Sequence, residues 1–82
     1  MKAVLKIKIE TSRKILESIY KALYPETLNL PSTECSAELS LNNSLLLIKI
    51  LCSRVNLLRA VTNSYLGLIS TIINAYEEIE NG

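Results

Sequence analysis

Two periodicities divide the chain. Residues 3–10, AVLKIKIE, alternate strictly, with Leu5, Ile7 and Ile9 on one side and Lys6, Lys8 and Glu10 on the other. Period two predicts a strand with one wet face. Thr11 or Ser12 then stands where a side-chain oxygen can cap a helix by accepting an orphan backbone N–H. Ile15, Leu16, Ile19, Tyr20 and Leu23 follow at helical spacing. Pro25 is expected to end that helix, because the residue before a proline is pushed out of the α region. Residues 25–31, with Pro25, Asn29 and Pro31, then read as a loop.

Alternation returns over 33–41, where Cys35, Ala37, Leu39 and Leu41 oppose Glu34, Ser36, Glu38 and Ser40. Asn42-Asn43 suits a two-residue hairpin turn, since asparagine tolerates the positive φ of a type I′ turn. That turn pairs Leu41 with Ser44, Leu39 with Leu46, Ala37 with Ile48 and Cys35 with Ile50. The third strand, 44–52, is apolar on both faces: Leu46, Ile48 and Ile50 on the core side, Leu45, Leu47 and Leu51 on the other. A strand of that kind belongs in the middle of a sheet. With the first helix packed back on the sheet, this placement makes all pairings antiparallel.

Ser53 is expected to cap a long second helix from about Arg54 to Glu80. Leu57, Leu58, Val61, Tyr65, Leu66, Leu68, Ile69, Ile72, Ile73, Tyr76 and Ile79 cover about half of its circumference. Beside them run small residues, Ala60, Ser64, Gly67 and Thr71, at i, i+4, i+7 and i+11. The order β-α-β-β-α predicts an α+β domain, one unit over 1–82, with a three-stranded antiparallel sheet and two helices on one face.

Composition sharpens this reading. A chain of 82 residues buries only roughly 60–65% of its unfolded surface. Yet 49% of its residues are hydrophobic and the mean hydropathy is +0.26. Some apolar surface is therefore expected to face a partner. The net charge of +1 does not suit independent, tight nucleic-acid binding. There is no histidine, and every acid is a glutamate. The usual imidazole base and metal ligand are thus missing, and no phosphate-binding or nucleophile motif is present. No catalytic residue, metal ligand or cofactor site is assigned.

No run approaches the roughly 18–20 apolar residues of a membrane span, because Lys49 breaks the best one, Leu45–Ile48. The alternating N-terminus is not that of a signal peptide. The expectation is a cytoplasmic protein with Cys35 and Cys52 as buried free thiols, since disulfides are rare in a reducing compartment.

Three groups of residues carry functional content. Ala60, Ser64, Gly67 and Thr71, flanked by Leu57, allow close approach of another backbone, either a foreign helix or the chain's own first helix. Gly67 costs a helix about 1 kcal/mol relative to alanine, which invites such a reason. Leu45, Leu47 and Leu51, ringed by Lys6, Lys8, Glu34, Glu38 and Lys49, make a leucine strip with a charged rim, the pattern of a small self-association face. Arg54 and Arg59 at the head of the second helix could meet an RNA phosphate, a partner's glutamate or only solvent. Glu77, Glu78 and Glu80 fall where the helix dipole disfavours anions and read as a solubilising, frayed end.

These features coincide in one family. The segment Leu57-Leu58-Arg59-Ala60-Val61-Thr62-Asn63-Ser64-Tyr65-Leu66 resembles the LRA-x-x-NSYL signature of the small Pcc-type (LAGE/Pcc) subunit of the KEOPS complex. Ala22-Leu23-Tyr24-Pro25-Glu26 is similar to that family's helix end, and a hairpin feeds a hydrophobic strand into the signature. Two departures stand out. Ser53 occupies a position where members often have aspartate, and Gly67-Leu68 replaces a common Arg-Trp, which weakens any transfer of an RNA contact to that turn.

The resemblance implies a non-enzymatic subunit that dimerises, with itself or a paralogue. It also implies helices that bundle with the catalytic threonylcarbamoyl transferase, and tRNA bound weakly or only within the complex. That assembly modifies the adenosine next to the anticodon, and any metal or ATP belongs to its other subunits. The alternatives are a diverged paralogue of the subunit and an independent RNA-binding module of KH type. The latter needs a GxxG loop, whereas the only glycines are Gly67 and Gly82.

Overall fold

The elements are β1 (Ala3–Glu10), α1 (Arg13–Leu28), β2 (Cys35–Leu41), β3 (Leu45–Cys52) and α2 (Val55–Asn81). They come from a computed structural model that describes residues 2–81, with side chains through Glu78. Gly82 and the side chains of Ile79 and Glu80 lie outside the described residues.

The sheet order is β1-β3-β2 with both pairings antiparallel, so the doubly apolar strand is central, as its composition requires. α1 lies over β2 and β3, α2 over β1 and β3, and the two helices touch. Leu16, Ile19 and Leu23 of α1 meet Leu46, Ile48 and Ile50 of β3 with no exposed surface, and Val61, Tyr65 and Ile69 of α2 complete the core. The alternating strand burial and these helical triads are the two periodicities made physical.

Several local expectations are corrected. α1 does not stop at Pro25 but runs on to Leu28. Proline removes the N–H that would reach Lys21 and crowds that carbonyl with its ring, but the later carbonyls at this end find other donors. The Thr27 hydroxyl donates to the Tyr24 carbonyl at 2.7 Å, the Asn29 side-chain amide to Pro25 at 3.0 Å, and the Asn29 backbone to Glu26 at 3.3 Å. With its last turn satisfied and Leu23 anchored in the core, the helix tolerates the break. Ser12 holds the N-cap position of α1 without a side-chain capping bond.

At the head of α2, the Arg54 carbonyl accepts the first helical bond, from the Leu58 N–H at 3.1 Å. The Ser53 hydroxyl does not cap the helix; it donates to the Glu34 carboxylate at 2.7 Å. The glutamate-rich end remains helical through Asn81.

The hairpin is shifted by two residues. Leu41 faces Leu46, Leu39 faces Ile48, Ala37 faces Ile50 and Cys35 faces Cys52. The Asn42 N–H donates to the Leu45 carbonyl at 2.8 Å, so the turn falls on Asn43-Ser44. No described residue outside glycine has positive φ, so the turn is not type I′. Its Asn42 carbonyl is held by the Arg13 guanidinium at 2.8 Å. A shift of two preserves every side chain's face, which is why alternation could not detect it.

The same shift accounts for the cysteines. Both are buried as expected, but they are not free thiols: Cys35 and Cys52 form a disulfide across β2 and β3. They stand directly opposite each other in a pair without mutual backbone hydrogen bonds, where strands approach most closely.

Candidate interaction surfaces

α2 turns its small residues outward. Ala60, Ser64, Gly67 and Thr71 are all exposed, and a Cβ built on Gly67 meets no atom within 4 Å. They lie roughly opposite Tyr65, which is buried, and Tyr76, whose hydroxyl pairs with Ser18 of α1 at 2.6 Å. The stripe therefore does not pack against α1. Thr71 donates its hydroxyl to the Gly67 carbonyl at 2.9 Å and leaves the groove shallow. Leu57 is half-buried and packs against the core, on the groove's flank. Leu66, 43% exposed, adds apolar surface near the Arg59 turn; its place in a helical apolar stripe had suggested burial.

Tyr65 has the opposite character within the same segment. It is 3% exposed and its hydroxyl has no partner among the described residues. Burial, then the nearby Glu26 charge, pushes its phenol above the ordinary range, so it stays neutral at physiological pH.

The second surface is the sheet face away from the helices. Cross-strand rows place Leu47 between Lys8 and Ser40, Lys49 between Lys6 and Glu38, and Leu51 between Val4 and Ser36. Leu47 is exposed, while Leu45 and Leu51 are half-covered. Lys49 stands between Leu47 and Leu51, so the strip is two apolar patches rather than one. Val4, 48% exposed, extends the second patch; a single valine among lysines gave no signal in the alternation. A shallow depression beside Leu47 is lined by Lys6, Glu38, Ser40 and Lys49.

The two sheet edges differ. The bonds from Asn42 to Leu45 and from Ser53 to Glu34 set the alternation. On β2 the outward-pointing backbone groups belong to Ala37, Leu39 and Leu41, and on β1 to Val4, Lys6, Lys8 and Glu10. The open face of β1 carries three charges, Lys6, Lys8 and Glu10, whereas that of β2 carries one, Glu38 between Ser36 and Ser40, so β2 is the less guarded edge against a further strand.

Arg54 and Arg59 are not brought together. Arg54 pairs with Glu34 at 3.2 Å, and Glu34 still borders the cleft beside Leu51; Arg59 is exposed and makes no ion pair among the described residues. The Ser53 hydroxyl first, then the Arg54 charge, hold the exposed Glu34 carboxyl below the ordinary carboxylate range. A depressed folded value means that the clasp is fully formed above the ordinary range and opens as pH falls through the lowered value. An NMR titration should show Glu34 protonating below the ordinary glutamate range, and Ser53→Ala should move it up. A Glu34 that titrates in the ordinary glutamate range would remove the clasp.

Among the described residues no cluster of histidine, cysteine or acidic side chains could hold a metal ion, and no helix is long and apolar enough to cross a membrane. No curated protein matches the chain. A family model described as transcription factor Pcc1 matches residues 2–77, nearly the whole length. That family is one of small accessory subunits associated with KEOPS, with no known catalytic member role. Because that match spans well over half of its residues, the chain belongs to the Pcc1 family, that of the Pcc/LAGE-type KEOPS subunit.

Proposed function

We propose that this chain is a non-catalytic scaffold of a tRNA-modifying complex, docking the catalytic threonylcarbamoyl transferase on the outer face of α2 and pairing with a second copy or a paralogue. The observation that carries this reading is the exposed stripe Ala60, Ser64, Gly67 and Thr71 on α2, the first two within the segment that resembles the family's signature. No neighbour in the chain's own fold explains a glycine there. The mechanism is positional: holding enzyme and tRNA together lowers the entropic cost of a productive encounter.

The open sheet face, with Leu45, Leu47 and Leu51, is the proposed pairing surface. The less charged β2 edge favours a second arrangement, in which strands rather than faces meet. Arg54, engaged by Glu34, is a poorer candidate for tRNA than Arg59. The isolated subunit should therefore bind tRNA only weakly. Native co-purification with partners identified by mass is expected to recover the transferase. Recovery without it, together with nanomolar tRNA affinity of the isolated chain at physiological salt, would replace the scaffold with an RNA-binding module.

A further inference from the structure

We propose that Cys35 and Cys52 are a thiol–disulfide switch that sets how firmly the start of β2 is held to the start of α2. The two residues face each other across β2 and β3 with Cα atoms 4.1 Å apart. Immediately beyond the bond, the Ser53 N–H donates to the Glu34 carbonyl at 3.0 Å, and the Glu34 carboxylate takes the Ser53 hydroxyl and Arg54. The Ser32 hydroxyl accepts the Glu34 N–H at 3.1 Å. The disulfide thus backs a polar clasp that joins the loop before β2 to the residues that open α2. The polar contacts of this clasp are exposed, and exposed contacts of this kind are individually weak. The covalent bond is the strong tie at this corner.

The two sulfurs differ in access. Cys52 is 1% exposed on the central strand and borders one surface cleft; Cys35 is 9% exposed, lies on an edge strand and borders that cleft and a second one. Exchange should therefore occur at Cys35 Sγ. A small thiolate of the glutathione class attacks it and forms a mixed disulfide, and Cys52 leaves as a thiolate that takes up a proton. A second thiolate attacks the small-molecule sulfur, freeing Cys35 as a thiol and releasing the oxidised small disulfide. In sum, the protein disulfide and two thiols become two protein thiols and one small disulfide. Reoxidation is the reverse, with the small disulfide as oxidant. Either way the pair stays buried beside the same apolar core, so reduction should loosen the corner and leave the fold standing.

The full chain, equilibrated across ratios of reduced to oxidised glutathione and quenched with a maleimide, gives the thiol count by mass. Both thiols are expected to appear together as the ratio rises. Amide exchange should quicken at least tenfold at the hydrogen-bonded amides of this corner, Glu34, Cys35, Ser36, Ser53 and Leu58, but not at Ile48. The melting temperature should fall by about 10–25 °C, the scale for removing one disulfide from a domain of this size. Cys35→Ser should melt at the reduced value at every ratio. Thiols that stay protected at all ratios would make the pair a permanent staple. Global loss of structure on reduction would do the same. Two thiols free under oxidising conditions, or a redox response that persists in Cys35→Ser, would remove the switch altogether.

Discussion

Leu47→Glu is expected to sediment as a monomer at concentrations where the unaltered chain is paired. Leu47 is exposed on the open sheet face, directly across from Lys8. In a lone subunit the new carboxylate meets water and a lysine, so stability should change by less than about 0.5 kcal/mol. Between two apposed sheets the same group would be buried without a dedicated partner, at a cost of about 3–5 kcal/mol. That weakens pairing by roughly two to three and a half powers of ten. Sedimentation beside a melting curve separates the two effects. A variant that melts normally and remains paired would move the contact to the β2 edge. Leu39→Pro, compared with Leu39→Ala because this side chain also packs against the core, then decides the matter, since only the proline deletes an outward N–H that an added strand would use.

Gly67→Leu should act with opposite signs on the chain and on its complex. Open space surrounds the position, and leucine is the better helix former, so the isolated subunit should melt at the same temperature or slightly higher. Against a helix fitted into the groove, four added carbons overpack, at a typical cost of 1–3 kcal/mol, or about 5- to 150-fold in affinity for the transferase. The exposure of Ala60, Ser64 and Thr71 makes the experiment clean, since nothing in the fold leans on this face. An unchanged affinity would place the docking surface elsewhere, with Leu66 and the neighbouring Arg59 turn the next region to alter.

Much of this architecture was legible in residue order because two different periods report on two different elements. The run from Ala3 to Glu10 and the central position of β3 followed from which residues alternate and which do not. Features that depend on end chemistry were harder to read. The passage of α1 through Pro25 rests on donors from Thr27 and Asn29 that periodicity does not weigh. Ser53 had two acceptable partners, a helix end and a distant carboxylate, and only the fold brings Glu34 within reach. The hairpin shift was invisible for a geometric reason: moving Cys35 from Ile50 to Cys52 keeps it on the same face. That one shift separated two buried thiols from a cross-strand disulfide. The candidate surfaces were legible as faces, while their boundaries were not. Lys49 divides the leucines by its place between Leu47 and Leu51, which order shows; that Lys6 and Glu38 flank it across the strands is set by pairing.

The unequal edges of the sheet also limit how large an assembly the fold can build. If copies meet along β2, each uses its one receptive border, and a twofold axis consumes both borders at once. What remains outermost on either side is β1, where Lys6, Lys8 and Glu10 alternate with the strand's inward residues. A third copy would have to lay its backbone along that charged margin, which natural sheets use to halt growth. Edge pairing in this protein would thus be self-terminating, ending at two subunits rather than propagating into a filament.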